Sequence, residues 1–192
     1  MKLPQPRIRG EVSLEETLEK RRSKRSFAPN ELSWAQMAQL LWAGQGVVGK
    51  RRSSRTAPSA GALYPLELYL VTKEGVYHYK PEPHELEPTL PGDRRSQLSR
   101  AALDEEAIEE APANIVIAAV YQRMEWRYKE RAARYVHIEV GHAAQNIHLQ
   151  AVALGLGSCP IGAFSDEQVQ KVLSLPKEQQ PLYIIPVGYP AE

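Results

Sequence analysis

The longest regular pattern in the sequence covers residues 131–154 and predicts a single long helix. Apolar residues recur there at alternating spacings of three and four, which places them along one helical face. A second, largely uncharged set lies on another face, so we expect this helix to be covered on two sides, and the second cover could be a partner subunit. The two sets are Val136, Val140, Ala143, Ile147, Ala151 and Leu154, and Ile138, His142, Gln145, Leu149 and Val152.

Shorter patterns predict a mixed architecture around this helix. Serine followed three residues later by Glu or Gln marks helix starts at Ser13, Ser33 and Ser165, and the first helix should run to about Arg22. Apolar runs at residues 66–71 and 76–79, separated by a short loop that ends in glycine, predict a hairpin. The continuous apolar run at 115–121 predicts a central strand buried on both faces, and residues 182–187 predict the final strand. We therefore expect an α/β fold of the α+β type in one domain, residues 1–192.

The composition limits the classes of partner and compartment. A net charge of +1 disfavours a globally basic nucleic-acid binder, and no run approaches the ~20 apolar residues of a membrane span. The single cysteine, Cys159, excludes an intrachain disulfide and suits a reducing compartment, so we expect a cytoplasmic protein with no nucleic-acid or membrane partner. Spacings of five and six between His137, His142 and His148 do not bring them onto one helical face, so we predict no metal site.

Three separated segments contain residues that could line one pocket. The basic segment (residues 21–27) has four cations and two serines, which together can bind a phosphate; the alternative is a solvated helix end. The proline loop (residues 58–64) and the cysteine loop (residues 158–164) consist mostly of small residues, which let a backbone approach a flat ligand, although either could be an ordinary turn. A second basic patch, Lys50, Arg51 and Arg52 with Arg55, lies in a stretch that we expect to be a mobile loop or lid.

Taken in order, these motifs resemble the nitroreductase superfamily of flavin enzymes. The form of the proline loop, Pro-Ser-Ala-Gly-Ala-Leu-Tyr-Pro from position 58, is similar to that of the SagB-type branch, related to dehydrogenases of thiazolines and oxazolines. The other matching motifs are the basic segment, Gly-His-Ala-Ala-Gln-Asn from position 141 and Gly-Leu-Gly-Ser-Cys-Pro-Ile-Gly from position 155. The resemblance implies a mixed, largely antiparallel sheet flanked by helices, and an intertwined homodimer with FMN at the subunit interface.

The resemblance also implies a role for individual residues. It assigns the FMN phosphate and ribityl chain to Arg21, Ser23 and Arg25, with Arg22 beside them. It places Pro58, Ser59, Ala60 and Gly61 along the isoalloxazine ring, from the partner subunit. It places Pro160, Ile161 and Gly162 on the other side of the ring, where a backbone donor near N5 would steady the reduced flavin.

Two departures from the family pattern qualify the function. Relatives often carry a Lys or Arg after the last strand that also contacts the phosphate, whereas residues 188–192 include none, so we expect phosphate binding to depend more on the basic segment. The azoline-oxidising branch uses a Lys-Tyr pair for proton removal, and this chain has Arg127 and Tyr128 as its catalytic candidates. Arginine is a poor general base, which puts azoline oxidation in doubt; the simplest alternative for this pair is the start of the long helix.

We therefore predict an FMN-dependent oxidoreductase that transfers hydride from NADH or NADPH through FMN to a small flat acceptor. One alternative is an azoline dehydrogenase that uses FMN and oxygen. Another is a flavin-binding module without efficient turnover.

Overall fold

The computed structural model describes residues 1–49 and 54–191; Lys50, Arg51 and Arg52 of the second basic patch lie outside this range. The strands are β1 (Val47–Val48), β2 (Ser54–Arg55), β3 (Leu66–Thr72), β4 (Gly75–Lys80), β5 (Glu85–Pro91), β6 (Ala113–Ala119), β7 (Gly157–Ser158) and β8 (Gln180–Gly188). The helices are α1 (Leu14–Lys20), α2 (Trp34–Gln45), α3 (Arg95–Ala101), α4 (Glu106–Glu110), α5 (Gln122–Tyr128), α6 (Ala132–Ala153) and α7 (Asp166–Val172), with 3₁₀ turns at Ala60–Ala62 and Lys129–Arg131.

The main sheet has six strands in the order β5-β4-β3-β6-β8-β7, and each pair of neighbouring strands is antiparallel. The described residues also make a parallel bridge, between Ser23 and Ser158. Every residue of β6 is buried, as its continuous apolar run predicts, because this strand is central and is covered on both faces. The predicted hairpin is β3 and β4, and helices lie against both faces of the sheet.

Helix α6 has 22 residues and confirms the predicted long helix. Its first apolar face is in the core, where Val136, Ala143 and Ile147 are fully buried. The N-terminal part of the second face is not covered by the described part of the chain: Ile138 is 48% exposed, and His142 and Gln145 are also exposed, whereas Leu149 and Val152 are half-buried. No helix among the described residues combines the length and the apolarity needed to cross a membrane.

The predicted helix starts are confirmed, because capping is decided by a few neighbouring residues. The hydroxyl oxygens of Ser13, Ser33 and Ser165 each accept a hydrogen bond from the backbone N–H three residues later. At Ser33 the capping box is complete, since the Gln36 side chain also accepts a hydrogen bond from the Ser33 backbone. Helix α1, however, ends at Lys20, before the predicted Arg22, because Arg21 has extended backbone angles.

One alternative was wrong, and one expected loop is partly replaced by strands. Arg127 and Tyr128 do not begin the long helix but end a separate helix, α5, because Lys129 takes a positive φ of 48° that interrupts helical geometry. The stretch predicted to be a loop before Pro58 contains a short antiparallel ribbon, in which Val47 pairs with Arg55 and Val48 with Ser54. This ribbon positions Arg55 beside α2, where it contacts Gln45.

Candidate active site

The basic segment is held against β7 by its backbone. Ser23 forms the parallel bridge with Ser158, and the Lys24 N–H donates to the Ser158 carbonyl at 3.0 Å. A side chain at Gly157 would bring its Cβ to 2.7 Å from the Cβ of Lys24, so only glycine permits this close approach. The segment therefore has a fixed path from Ser23 onward.

The other end of the basic segment is held by the residues that follow β8. Phe27 is buried and pairs with Pro190, the Ala28 N–H donates to the Tyr189 carbonyl at 2.8 Å, and the Ala191 N–H donates to the Ser26 carbonyl at 3.1 Å. Fixing the backbone at both ends leaves the cationic side chains between them directed outward.

The cations of the basic segment differ in how they are used. The Arg22 guanidinium donates to the carbonyls of Glu19 and Arg21, each at 2.7 Å. Some of its hydrogen-bond donors are therefore already used at the end of α1. The guanidinium groups of Arg21 and Arg25 form no ion pair within the described chain, and Ser23 is exposed. Arg21, Ser23 and Arg25 thus remain available to an anionic ligand.

A histidine that the sequence patterns did not single out lies beneath this segment. His148 of α6 is buried, and its Nδ1 is 2.7 Å from the hydroxyl oxygen of Ser158. Burial, reinforced by the positive charge of Arg21, lowers the pKa of His148 to about 4. His148 is therefore neutral near pH 7 and adds no charge to the basic segment.

The cysteine loop continues from β7 directly beside the basic segment. Ile161 exchanges two backbone hydrogen bonds with Ile184, at 2.9 and 3.0 Å, while Gly162 is exposed. Burial raises the pKa of the Cys159 thiol to about 11, so this cysteine is a core residue and not a nucleophile. Pro160, Ile161 and Gly162 follow within four residues of Ser158, the residue that contacts the basic segment.

The proline loop packs against the end of α5. Gly61 has a φ of +63°, as its predicted freedom allows, and a Cβ there would lie 2.9 Å from the Tyr128 hydroxyl and 3.3 Å from Arg127 Nη1. Both catalytic candidates, Arg127 and Tyr128, therefore lie directly beside Gly61. Two further residues, Ala62 and Tyr64, take positive φ values of 54° and 48°, which are costly for side chains other than glycine.

The proline loop and the basic segment lie beside different positions along α6. Ser59 faces Glu139, whereas Ser158 contacts His148, nine residues further along the helix and about 13 Å away at 1.5 Å per residue. Within the described ranges, no hydrogen bond or ion pair joins residues 58–61 to the basic segment or to the cysteine loop. One copy of the chain therefore brings together two of the three predicted segments.

Glu139 is the second buried polar residue that sequence reasoning missed. It is 1% exposed, and neither carboxylate oxygen has a hydrogen-bond partner among the described residues. Burial raises the pKa of Glu139 to about 7, against the opposing effects of Ser59, Arg55 and Gln45. The available signal was its position, since it lies on the same helical stripe as Val136 and Ala143.

Comparison with known proteins decides the family. Residues 18–189 match the model of the Nitroreductase family. The chain belongs to the nitroreductase family. It is 41% identical over 184 residues to MJ1384 of Methanocaldococcus jannaschii, a protein named after the nitroreductases, covering 93% of this chain and 91% of that protein. The microcin B17-processing protein McbC of Escherichia coli is 29% identical over 132 residues, which are 63% of this chain and 48% of McbC, so the chain spans about half of that relative.

Solved structures agree with this family. A structure from Ralstonia eutropha, also named after the nitroreductases, matches with a TM-score of 0.91 and 29% identity over 100% of this chain and 90% of that chain. The NADPH:FMN oxidoreductase of Vibrio harveyi shares the fold with a TM-score of 0.70 and 23% identity over 93% of this chain and 68% of that chain. The predicted family and fold class are confirmed, apart from the dimer, and the chain is an oxidoreductase of this family. The relation to McbC supports the resemblance to the SagB-type branch.

Proposed function

We propose that this nitroreductase-family oxidoreductase binds FMN and passes hydride from NADH or NADPH to a small flat acceptor. The observation that carries the proposal is the basic segment, whose backbone is fixed at both ends while Arg21, Ser23 and Arg25 remain open. Two guanidinium groups and a hydroxyl match the charge and the acceptor oxygens of a phosphate monoester, so the residues present fit the cofactor. A bound FMN would supply the reversible hydride carrier.

Each part of the proposed site has a separate task. Arg21 and Arg25 neutralise the phosphate and orient the cofactor, with Arg22 beside them. Pro160, Ile161 and Gly162 lie along one side of the ring, where the exposed backbone at Gly162 can direct a donor to N5. Tyr128 is placed to donate a proton to the substrate, and Arg127, which is a poor base, is placed to bind a negatively charged part of it.

The site requires a second copy of the chain. The N-terminal part of the second face of α6 is open, and residues 58–61 are displaced from the basic segment along that helix. We propose an intertwined homodimer in which the open faces of α6 pack together and Pro58, Ser59, Ala60 and Gly61 of one copy border the ring held by the other. A flavin-loaded monomer in sedimentation would contradict this arrangement.

A second candidate is the oxidation of an azoline ring in a peptide. The relation to McbC, named for microcin B17 processing, favours it, and the presence of Arg127 where that branch has lysine argues against it. Anaerobic mixing separates the candidates: rapid bleaching of the flavin by NADH or NADPH supports the reductase, and bleaching only by a thiazoline or oxazoline peptide supports the dehydrogenase. Inertness to both indicates a flavin-binding module.

Removing one guanidinium from the basic segment tests the cofactor site itself. We expect Arg21→Ala and Arg25→Ala each to weaken FMN binding by ~1–3 kcal/mol, because each loses a charge-assisted hydrogen bond. Fluorescence titration of FMN measures the effect. Arg100→Ala on α3 removes an exposed cation outside the basic segment and should leave FMN affinity unchanged. Equal FMN affinities in all three variants would show that the basic segment is only a solvated helix end.

A further inference from the structure

Glu139 presents a buried carboxyl that no ion pair compensates. It lies near the middle of α6, and both carboxylate oxygens are enclosed without a hydrogen-bond partner in the described ranges. An ionised carboxylate in such a place is disfavoured, because burial removes its water and the nearby Ser59, Arg55 and Gln45 offset that loss only in part. The conformation of the protein described here therefore favours a neutral carboxylic acid at this position.

The neighbours of Glu139 come from three other parts of the fold. They are Ser59 of the proline loop, Gln45 of α2 and Arg55 of β2, and Arg55 is the charged group that faces it within the described chain. The Arg55 guanidinium is already engaged, since Nη1 donates to Gln45 Oε1 at 2.9 Å and Nη2 lies 3.2 Å from Glu82 Oε1. Its charge therefore acts on Glu139 without forming an ion pair.

Ser59 links this carboxyl to the conformation of the proline loop. The Ser59 hydroxyl oxygen accepts a hydrogen bond from the Tyr64 N–H at 2.9 Å, which closes the loop on itself, and its own hydrogen remains free to be donated towards Glu139. The positive φ values of Ala62 and Tyr64 mean that the loop is strained and must be held by its surroundings. Water that entered to solvate an ionised Glu139 would enter beneath Ser59.

We propose that Glu139 is a positioning residue which, as a neutral acid, keeps the proline loop in the conformation that borders the flavin, and that ionisation of this carboxyl releases the loop. The inference rests on the proposed function for the identity of the ligand. The inference predicts that flavin binding depends on pH through the Glu139 carboxyl on α6, not through the phosphate. Burial, which raises the pKa of Glu139 to about 7, puts this ionisation within the range of ordinary assays.

The test is a comparison of FMN affinity across pH between the wild type and Glu139→Gln, an isosteric side chain that is neutral at every pH. We expect the wild-type dissociation constant to rise above pH 7, by at most about tenfold for each pH unit, because the bound conformation holds one more proton. Glu139→Gln should show a flatter profile and the tighter binding above pH 7. Glu130→Gln, which neutralises an exposed carboxyl just before α6, should follow the wild type.

Two measurements on the flavin-free protein make the inference independent of FMN. The carbonyl stretch of a protonated carboxylic acid should appear in the infrared spectrum at pH 6, fade as the pH rises, and be missing from Glu139→Gln. Amide hydrogen exchange over residues 59–64 should be faster in the wild type than in Glu139→Gln at pH 8. Ser59→Ala, which removes a donor that favours the ionised form, should move the infrared midpoint to higher pH.

The outcomes separate the two proposals. Identical pH profiles in the wild type and Glu139→Gln, or no protonated carboxyl at pH 6, would overturn the role of Glu139 even if FMN binds. A protein that binds no FMN at any pH would overturn the proposed function, while the infrared and exchange results would still decide whether Glu139 controls the loop.

Discussion

Glu67 and Glu139 are both carboxyls largely shielded from water, yet the protein treats their charges in opposite ways. Glu67 of β3 has a side chain only 13% exposed, with Oε2 2.6 Å from His78 Nε2 and Oε1 2.5 Å from Arg123 Nη2. Burial alone would raise the pKa of Glu67, but the hydrogen bond from His78 and the charge of Arg123 outweigh it, so its pKa is lowered. Glu139 has comparable burial and no such partners. Partners, more than burial, decide which state of a carboxyl is favoured.

The surroundings of Glu67 are also fixed more firmly than those of Glu139. Lys80 Nζ donates to His78 Nδ1 at 2.9 Å, so the ring proton lies on Nε2 and is donated to Glu67. The same ring stacks on Tyr69, with centroids 4.6 Å apart, and Tyr69 donates to Gln179 at 2.7 Å. Strands β3 and β4 and helix α5 are thus joined around one charge, whereas Glu139 adjoins a strained loop.

The largest expected effect comes from removing the paired carboxyl. Glu67→Ala should lower the free energy of unfolding by about 3 kcal/mol, because it leaves the largely buried His78 ring without its acceptor and removes the ion pair with the more exposed Arg123. Chemical denaturation at pH 7 measures this loss. Glu87→Ala is the matched control, since Glu87 pairs with Lys80 at an exposed site and its loss should cost far less stability than the loss of Glu67. Equal losses of stability in Glu67→Ala and Glu87→Ala would show that the shielded ion pair is no more stabilising than the exposed one.

The unpaired carboxyl should show the opposite result. The pKa of Glu139 is raised in the folded state, so its contribution to stability is complete below about pH 4.5 and is lost as pH rises through about 7. Glu139→Gln should therefore be more stable than the wild type by about 2 kcal/mol at pH 8, with the difference narrowing towards zero near pH 4. Thermal or chemical unfolding over this range tests it. A Gln variant less stable than the wild type at pH 8 would show that the carboxylate is stabilising.

The smallest expected effect comes from Arg55, whose positive charge opposes the effect of burial on the pKa of Glu139. Arg55→Met removes the nearby positive charge while keeping an apolar stem, so the pKa of Glu139 should rise. The midpoint of the infrared carboxyl band gives the shift directly. An unchanged midpoint would mean that the charge of Arg55 does not act on Glu139.

The elements that the sequence predicted well depend on neighbouring residues. The start of α2 follows from Ser33 and Gln36, and β6 follows from an apolar run that suits only a strand covered on both faces. The position of Glu139 on the apolar stripe of α6 was a signal for its burial, but a weak one, because carboxyls are usually exposed and the stripe is complete without it. The break at Lys129 was hidden, since lysine carries no signal for a positive φ.

The candidate site shows the same division. The residue types of the basic segment suggested an anion site, but its contacts with Ser158 and Pro190 join distant parts of the sequence that no local pattern connects. The residue types suggested beforehand that the basic segment and the cysteine loop could line one pocket, and the resemblance to a family made that suggestion specific. Their adjacency is now a structural observation, whereas the roles of Arg21, Arg25 and Gly61 towards FMN stay predictions.

The pairing of Phe27 with Pro190 also has a consequence for how the molecule is made. These residues are more than 160 positions apart, so the contact closes a very long loop and can form only after β8 has been synthesised. During translation, the cations next to Phe27 are synthesised well before Pro190, so their backbone path is not fixed at that stage. The backbone path of residues 23–27 is thus fixed only after residue 190 is present to pair with Phe27.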